Sequence, residues 1–223
     1  MAYARERVAP RYEAGDRFGR LDWRVDAELL NISLGGMAVR LETRLEPKTK
    51  LQVAIPREAG ELSLEGRAKW CRSGNIARID RTASERSYEA GIGFVGPLDA
   101  RSDDLVDFIS GTPTLGVQRG KFGRFVLDYE QPIRLMLACP FRLRLLSLSG
   151  MLVETRIAPG PDSEVDFSIP FDGEDFRARG RVADVARGTG GQPPCRIGIG
   201  FDGVSASQRP VLEALVESLR GRA

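Results

Sequence analysis

Ser33-Leu-Gly-Gly-Met-Ala-Val39 returns later in the chain as Ser147-Leu-Ser-Gly-Met-Leu-Val153, at a shift of 114 positions set by Gly36 and Gly150. The same shift lays Leu51-Gln-Val-Ala-Ile-Pro56 on Val165-Asp-Phe-Ser-Ile-Pro170, Pro47 on Pro161, and Gly66-Arg67 on Gly180-Arg181. Gly91-Ile-Gly-Phe-Val-Gly96 then matches Gly198-Ile-Gly-Phe-Asp-Gly203 at a shift of 107. Variable loops after Trp70 and Asp184 absorb the difference. A correspondence of this length is an internal repeat, so the chain is a tandem duplication of one domain type. Its boundary falls in the Gly/Pro-rich stretch from Gly111 to Gly120, read as a short linker, giving domains 1–111 and 112–223.

Each copy reads mainly as strand. Leu51-Gln-Val-Ala-Ile and Val165-Asp-Phe-Ser-Ile alternate apolar and polar residues and stop at a proline, as a strand with one wet face does. Pro132 and Pro140 bracket Ile133-Arg-Leu-Met-Leu and precede Phe141-Arg-Leu-Arg-Leu, which suggests two short strands. Gly-Ile-Gly-Phe reads as a last strand that must pass close to another backbone. A helix closes each copy. Ser102 precedes Asp103 and Asp104, acids suited to a positive helix start, and Leu105, Val106, Phe108 and Ile109 supply its apolar residues. The second begins near Ser207, with Pro210 in its first turn and Val211, Leu212, Leu215, Val216 and Leu219 on one face. Short strands with regular turn signals argue for two small six-stranded antiparallel β-barrels, each followed by a short α-helix.

Composition narrows the chemistry. The chain has 223 residues, a net charge of +2 and no histidine. Residues 1–110 carry 18 basic and 18 acidic side chains, and the remainder carries 15 and 13, so any anion site must be a local cluster. Without histidine there is no imidazole acid/base pair, no serine or cysteine triad and no histidine-ligated metal. No nucleophile–base pair or metal cluster can be assembled, so the reading is a binding protein, not an enzyme, with no cofactor. Asp103-Asp104 and Glu174-Asp175 lack a converging third ligand for a metal. Cys71, Cys139 and Cys195 are odd in number and set among apolar residues, as reduced core thiols of a cytoplasmic protein would be. Met1 leads directly into Arg5 and Glu6 without a signal peptide, and no apolar run approaches the ~20 residues of a membrane span. Aromatics at 7% argue against a single-stranded nucleic-acid binder, which needs stacking platforms.

Two motifs carry binding chemistry. Arg7-Val-Ala-Pro-Arg11 puts two guanidinium groups on an N-terminal arm, and Pro10 holds Ala9 extended. Arginine's planar fork bonds phosphate, or the O6/N7 edge of guanine, in bidentate fashion. Asn31-Ile-Ser33-Leu-Gly-Gly36 supplies a carboxamide, a hydroxyl and two glycines in a strand-turn-strand. The second copy is a control within the same molecule. It keeps Ser147 and Gly150, but has Leu145, Lys121 and Phe125 where Asn31, Arg7 and Arg11 stand. The three positions suited to an anion with base edges change together, while the turn persists. Trp70, which corresponds to Asp184 in the second copy, reads as a core or interface residue.

An Arg-x-x-x-Arg segment followed some twenty residues later by Asn-x-Ser-x-x-Gly, and later by Gly-Ile-Gly-Phe, resembles the PilZ domain family. The first copy has every motif position and the second resembles a degenerate PilZ domain. The resemblance implies a cytoplasmic bacterial effector or adaptor for cyclic di-GMP, with that dinucleotide as ligand and a downstream protein partner. It assigns the ligand to Arg7, Arg11, Asn31, Ser33 and Gly36, with Gly35 as a neighbour and Arg5 as a further candidate. The arm from Met1 to about Asp16, polar and without apolar periodicity, is expected to be mobile until it closes over the ligand. The competing expectation is a ligand-independent module for protein interaction or oligomerisation, and a homodimer is compatible with either.

Overall fold

In the computed structural model, described here for residues 10–58, 60–74, 87–96, 102–118, 123–187 and 194–220, the alternating runs become antiparallel strands and the two capped segments become helices. The first repeat gives β1 (Tyr12–Ser33), β2 (Gly36–Leu41), β3 (Lys50–Arg57), β4 (Gly60–Ser73), β5 (Tyr88–Phe94) and α1 (Ser102–Gly111). The second gives β6 (Thr114–Gln118), β7 (Arg124–Leu127), β8 (Ile133–Leu146), β9 (Gly150–Thr155), β10 (Glu164–Phe171), β11 (Glu174–Arg187), β12 (Cys195–Phe201) and α2 (Arg209–Arg220). Among the described residues neither helix is long and apolar enough to cross a membrane.

The chain packs as two compact units, Arg24–Ala138 and Met1–Trp23 with Cys139–Ala223. The expected division at residue 111 marks the repeat in sequence, whereas the packing divides within β1 and within β8. In Arg24–Ala138 the ladder runs from residues 133–138 of β8 through β3, β4, β5 and β2 to residues 24–33 of β1, with β7 and β6 added beyond. Its core strands show why. Leu51, Val53 and Ile55 of β3 are buried while Lys50 and Gln52 are exposed, and Leu135 and Leu137 of β8 pair with Val53 and Leu51. Helix α1 buries Leu105, Phe108 and Ile109, and the Phe108 ring meets Tyr129 edge-on at 5.4 Å. The Tyr129 hydroxyl donates to the carbonyl of Pro56 at 2.7 Å, tying the segment before β8 to β3.

The other unit has the same order of strands. Residues 139–146 of β8 are followed by β9, β12, β11 and β10, and β10 pairs with β1 at Arg20–Ser168 through Trp23–Val165. Phe167, Phe176 and Phe201 cluster with centroids 5.2 to 6.0 Å apart. Helix α2 buries Leu212, Leu215, Val216 and Leu219, and its Ser218 and Arg220 bond Arg17 and Tyr12 of β1.

Three expectations are corrected. Pro140 does not end a strand; β8 runs through it. Its position suits a proline, because β8 pairs with β3 up to Leu137 and with β9 from Phe141, so the missing N–H falls outside both of these ladders. The stretch read as linker contains a strand, β6, paired with β7. The arm is ordered from Tyr12 onward, where the Tyr12 hydroxyl accepts from Arg220 at 2.9 Å and Asp16 pairs with Arg142.

Candidate functional site

The Asn31–Gly36 motif forms the β1–β2 turn of the unit Arg24–Ala138. Ser33, itself buried, donates from Oγ to the Gly36 carbonyl at 3.1 Å and pairs with Gly36 in the ladder. Gly36 in turn pairs with Gly93, and a Cβ at residue 36 would run into the Ile92 carbonyl. Only glycine lets β2 approach β5 there. The second repeat builds the same turn. Ser147 Oγ donates to the Gly150 carbonyl at 3.0 Å, and a Cβ at Gly150 would lie 2.5 Å from the Ile199 carbonyl. Ser33 and Gly36 therefore have a folding role that both copies share. Gly35 is different, since a Cβ there would meet nothing within 4 Å. Its counterpart is Ser149, whose hydroxyl lies 3.4 Å from that of Ser147.

Beside the turn lies a groove of about 410 Å³, within the size range of small-ligand sites. Ser33, Gly35, Gly36 and Met37 form one wall, Lys69 and Trp70 another, with Gly91, Ile92 and Gly93 as floor and Gly123 and Arg124 at the side. Among these described lining residues two are cationic and none is acidic. A bulge in β4 sets the second wall. Ala68 pairs with Ile92 and Trp70 with Gly91, so Lys69 is the extra residue. The two glycines of Gly91-Ile-Gly93 make room for it: a Cβ at Gly91 would overlap the Trp70 indole, and one at Gly93 would lie 2.5 Å from Lys69 Cε. Trp70 is 37% exposed, with the Arg72 guanidinium 5.3 Å from its ring centre and Arg72 anchored on Glu89 at 2.7 Å. Of the expected core or interface role for Trp70, the core half is thereby corrected, since the ring lines the groove. Its neighbour Cys71 has its thiol pushed up by burial, against the pull of a Leu45 backbone hydrogen bond and the Arg44 charge, and so is a poor nucleophile.

Asn31 follows a second bulge, between Leu29 and Asn31 in β1. Its Oδ1 accepts from Arg124 Nη1 at 3.1 Å, and its Nδ2 donates to Gln118 Oε1 at 3.5 Å. Asn31, Ser33, Gly35 and Gly36 are thus brought together in one unit. Arg11 is exposed, lies just before β1 and belongs to the other unit; Arg5 and Arg7 lie outside the described residues. Sequence reasoning missed Lys69 and Arg124. The repeat held a signal for the first, since Lys69-Trp70 aligns with Ala183-Asp184, where the bulge persists but its charge and ring do not. Arg124 had no such signal, because it lies in the other repeat and aligns with Pro10 of the first.

Among curated proteins none matches the chain. Solved structures with similarity include the inhibitor of motility MotI/DgrA of Bacillus subtilis, at 8% identity and a TM-score of 0.33, covering 80% of this chain and 99% of that one. MrkH of K. pneumoniae in its apo state shows 9% identity and a TM-score of 0.32 over 90% of this chain and 86% of that one. YcgR of Escherichia coli, in complex with c-di-GMP, shows 12% identity and a TM-score of 0.32 over 95% and 87%. The PilZ domain model matches twice, at residues 3–111 and 120–218, and so spans the repeat found from the sequence. The chain belongs to the PilZ domain family, as a tandem pair of its domains.

Proposed function

We propose that this protein is a cytoplasmic effector that binds cyclic di-GMP at its first repeat and passes the signal to a protein partner. The observation that carries the reading is the groove of the unit Arg24–Ala138, where the Asn31–Gly36 turn meets two cationic side chains and a half-open tryptophan. Lys69 and Arg124 suit the phosphates, and the Trp70 ring suits a purine face. In this reading the protein is a binder without catalysis or cofactor, and each copy forms a small six-stranded antiparallel barrel followed by its helix. Repeats 1–111 and 112–223 are the units of duplication, the second having lost its ligand. Arg7 and Arg11, with Arg5 as a further candidate, close over the dinucleotide bound at Asn31, Ser33, Gly35 and Gly36.

The test is calorimetric titration of the whole chain with cyclic di-GMP, with cyclic di-AMP and GTP as controls. Saturable binding of cyclic di-GMP alone is expected, and no heat with any of the three would end the proposal. Removing Arg7 or Arg11 by alanine substitution takes away a charge-assisted bond of about 1.5–3 kcal/mol and should weaken binding by roughly ten- to a hundredfold. A double variant that binds like the wild type would remove the arm from the site.

A further inference from the structure

A segment near the start of the second repeat is built into the site of the first. Strand β7 lies against β1 through the pair Ile32–Phe125, which sets Arg124 beside the motif strand. Gly123, at φ +62, turns the chain into β7 and lines the same groove. Arg124 gives one N–H to Asn31 Oδ1 at 3.1 Å while its side chain borders the groove opposite no carboxylate among the described lining residues. A guanidinium has five N–H donors in a fixed plane, so one bond to an amide fixes its direction and leaves the others free. The 114-residue shift places Pro10 at the corresponding point of the first repeat. This cation is therefore particular to the second copy and not a shared feature of the domain type.

The geometry points to Arg124 as an anion-binding residue of the first repeat's site, aimed by Asn31 and supplied by the second repeat. It contacts a phosphate or the O6/N7 edge of a guanine, with Lys69 as the second charge on the far wall. Asn31 is then a positioning residue, since its carbonyl oxygen is already committed to Arg124. The inference rests on the cyclic di-GMP reading above and assigns that ligand a contact from outside the motif-bearing repeat.

Calorimetry on the full chain separates the two. Arg124→Ala should weaken cyclic di-GMP binding about ten- to a hundredfold and make the remaining affinity less sensitive to salt. Arg124→Gln keeps an N–H for Asn31 but drops the charge, so it should fold like the wild type and lose a similar factor. Asn31→Ala leaves the charge but frees its direction, and should cost less. Adding Asn31→Ala to Arg124→Gln should bring little further loss, because the two act as one unit. Wild-type protein that binds while Arg124→Gln stays within twofold of it overturns the inference and leaves the ligand reading standing. Wild-type protein that does not bind at all overturns both.

Discussion

Gly35 and Gly36 are adjacent and do different work. Gly36 is a glycine for the fold, since any side chain would press on the Ile92 carbonyl where β2 and β5 meet. Gly36→Ala should therefore destabilise the protein by about 3 kcal/mol, at the upper end of ordinary single substitutions, whether or not ligand is present. A loss under 1 kcal/mol by urea unfolding would contradict that assignment. Gly35 has open space around it and borders the groove. A long polar side chain there enters the space a ligand needs and disturbs no packing. Gly35→Gln should leave the melting temperature unchanged and reduce cyclic di-GMP binding by more than tenfold. Both measurements are needed, because a structural residue would move the first and a ligand-clearing residue only the second. Sequence alone could not separate the pair. Turns favour glycine at both positions, and only the cross-strand neighbours, fixed by β5 more than fifty residues away, distinguish them.

At the scale of elements, what local pattern can encode was legible. The alternation of Leu51, Val53 and Ile55 named the buried face of β3, and Ser102 with two following acids named the start of α1. What depends on the choice of partner was not. Pro140 reads as a terminator when β8 is viewed alone, and is accommodated between the residues that pair with β3, up to Leu137, and those that pair with β9, from Phe141. Likewise Thr114-Leu-Gly-Val-Gln118 has too little alternation to be read as a strand, and is one because β7 pairs with it. The site followed the same rule, for the motif residues were visible while Lys69 and Arg124 arrive through a bulge and a neighbouring strand. Tyr129 is the clearest case of an element held by a distant partner. Its hydroxyl donates to Pro56 and its ring abuts Phe108, so it fastens the approach to β8 onto both β3 and α1. Tyr129→Phe keeps the ring and should cost about 1 kcal/mol. Burial raises the Tyr129 phenol above its usual range, outweighing the opposing Arg134 charge. The neutral form is thus favoured in the native state. That stabilisation is complete below the unfolded value near 10 and is lost as pH rises through the higher native value. The wild type should lose stability faster than Tyr129→Phe when denaturation is followed from pH 9 upward. Parallel pH profiles would place the alkaline sensitivity elsewhere.

For the whole molecule, the duplication and the packing divide the chain at different points, and the difference has a mechanical consequence. A fragment of residues 1–111 ends before β8, so residues 51–54 of β3 lose the strand they pair with, and Phe108 loses Tyr129. A fragment of residues 112–223 lacks β1, so residues 165–168 of β10 lose their partners and α2 loses its bonds to Tyr12 and Arg17. Each half therefore exposes an unpaired strand edge and apolar residues that the intact chain covers, the condition under which sheets aggregate. The missing piece of each half is present in the other. Separately expressed fragments should be aggregated or unfold without a cooperative transition, while the two refolded together at equal concentration should recover the circular dichroism and melting transition of the full chain. Reassociation should follow second-order kinetics, since two chains must meet before either β3 or β10 is paired. If residues 1–111 alone melt cooperatively within a few degrees of the intact protein, the pairing of β8 with β3 contributes little to stability. The dependence of the first repeat on the second would then be confined to the ligand site.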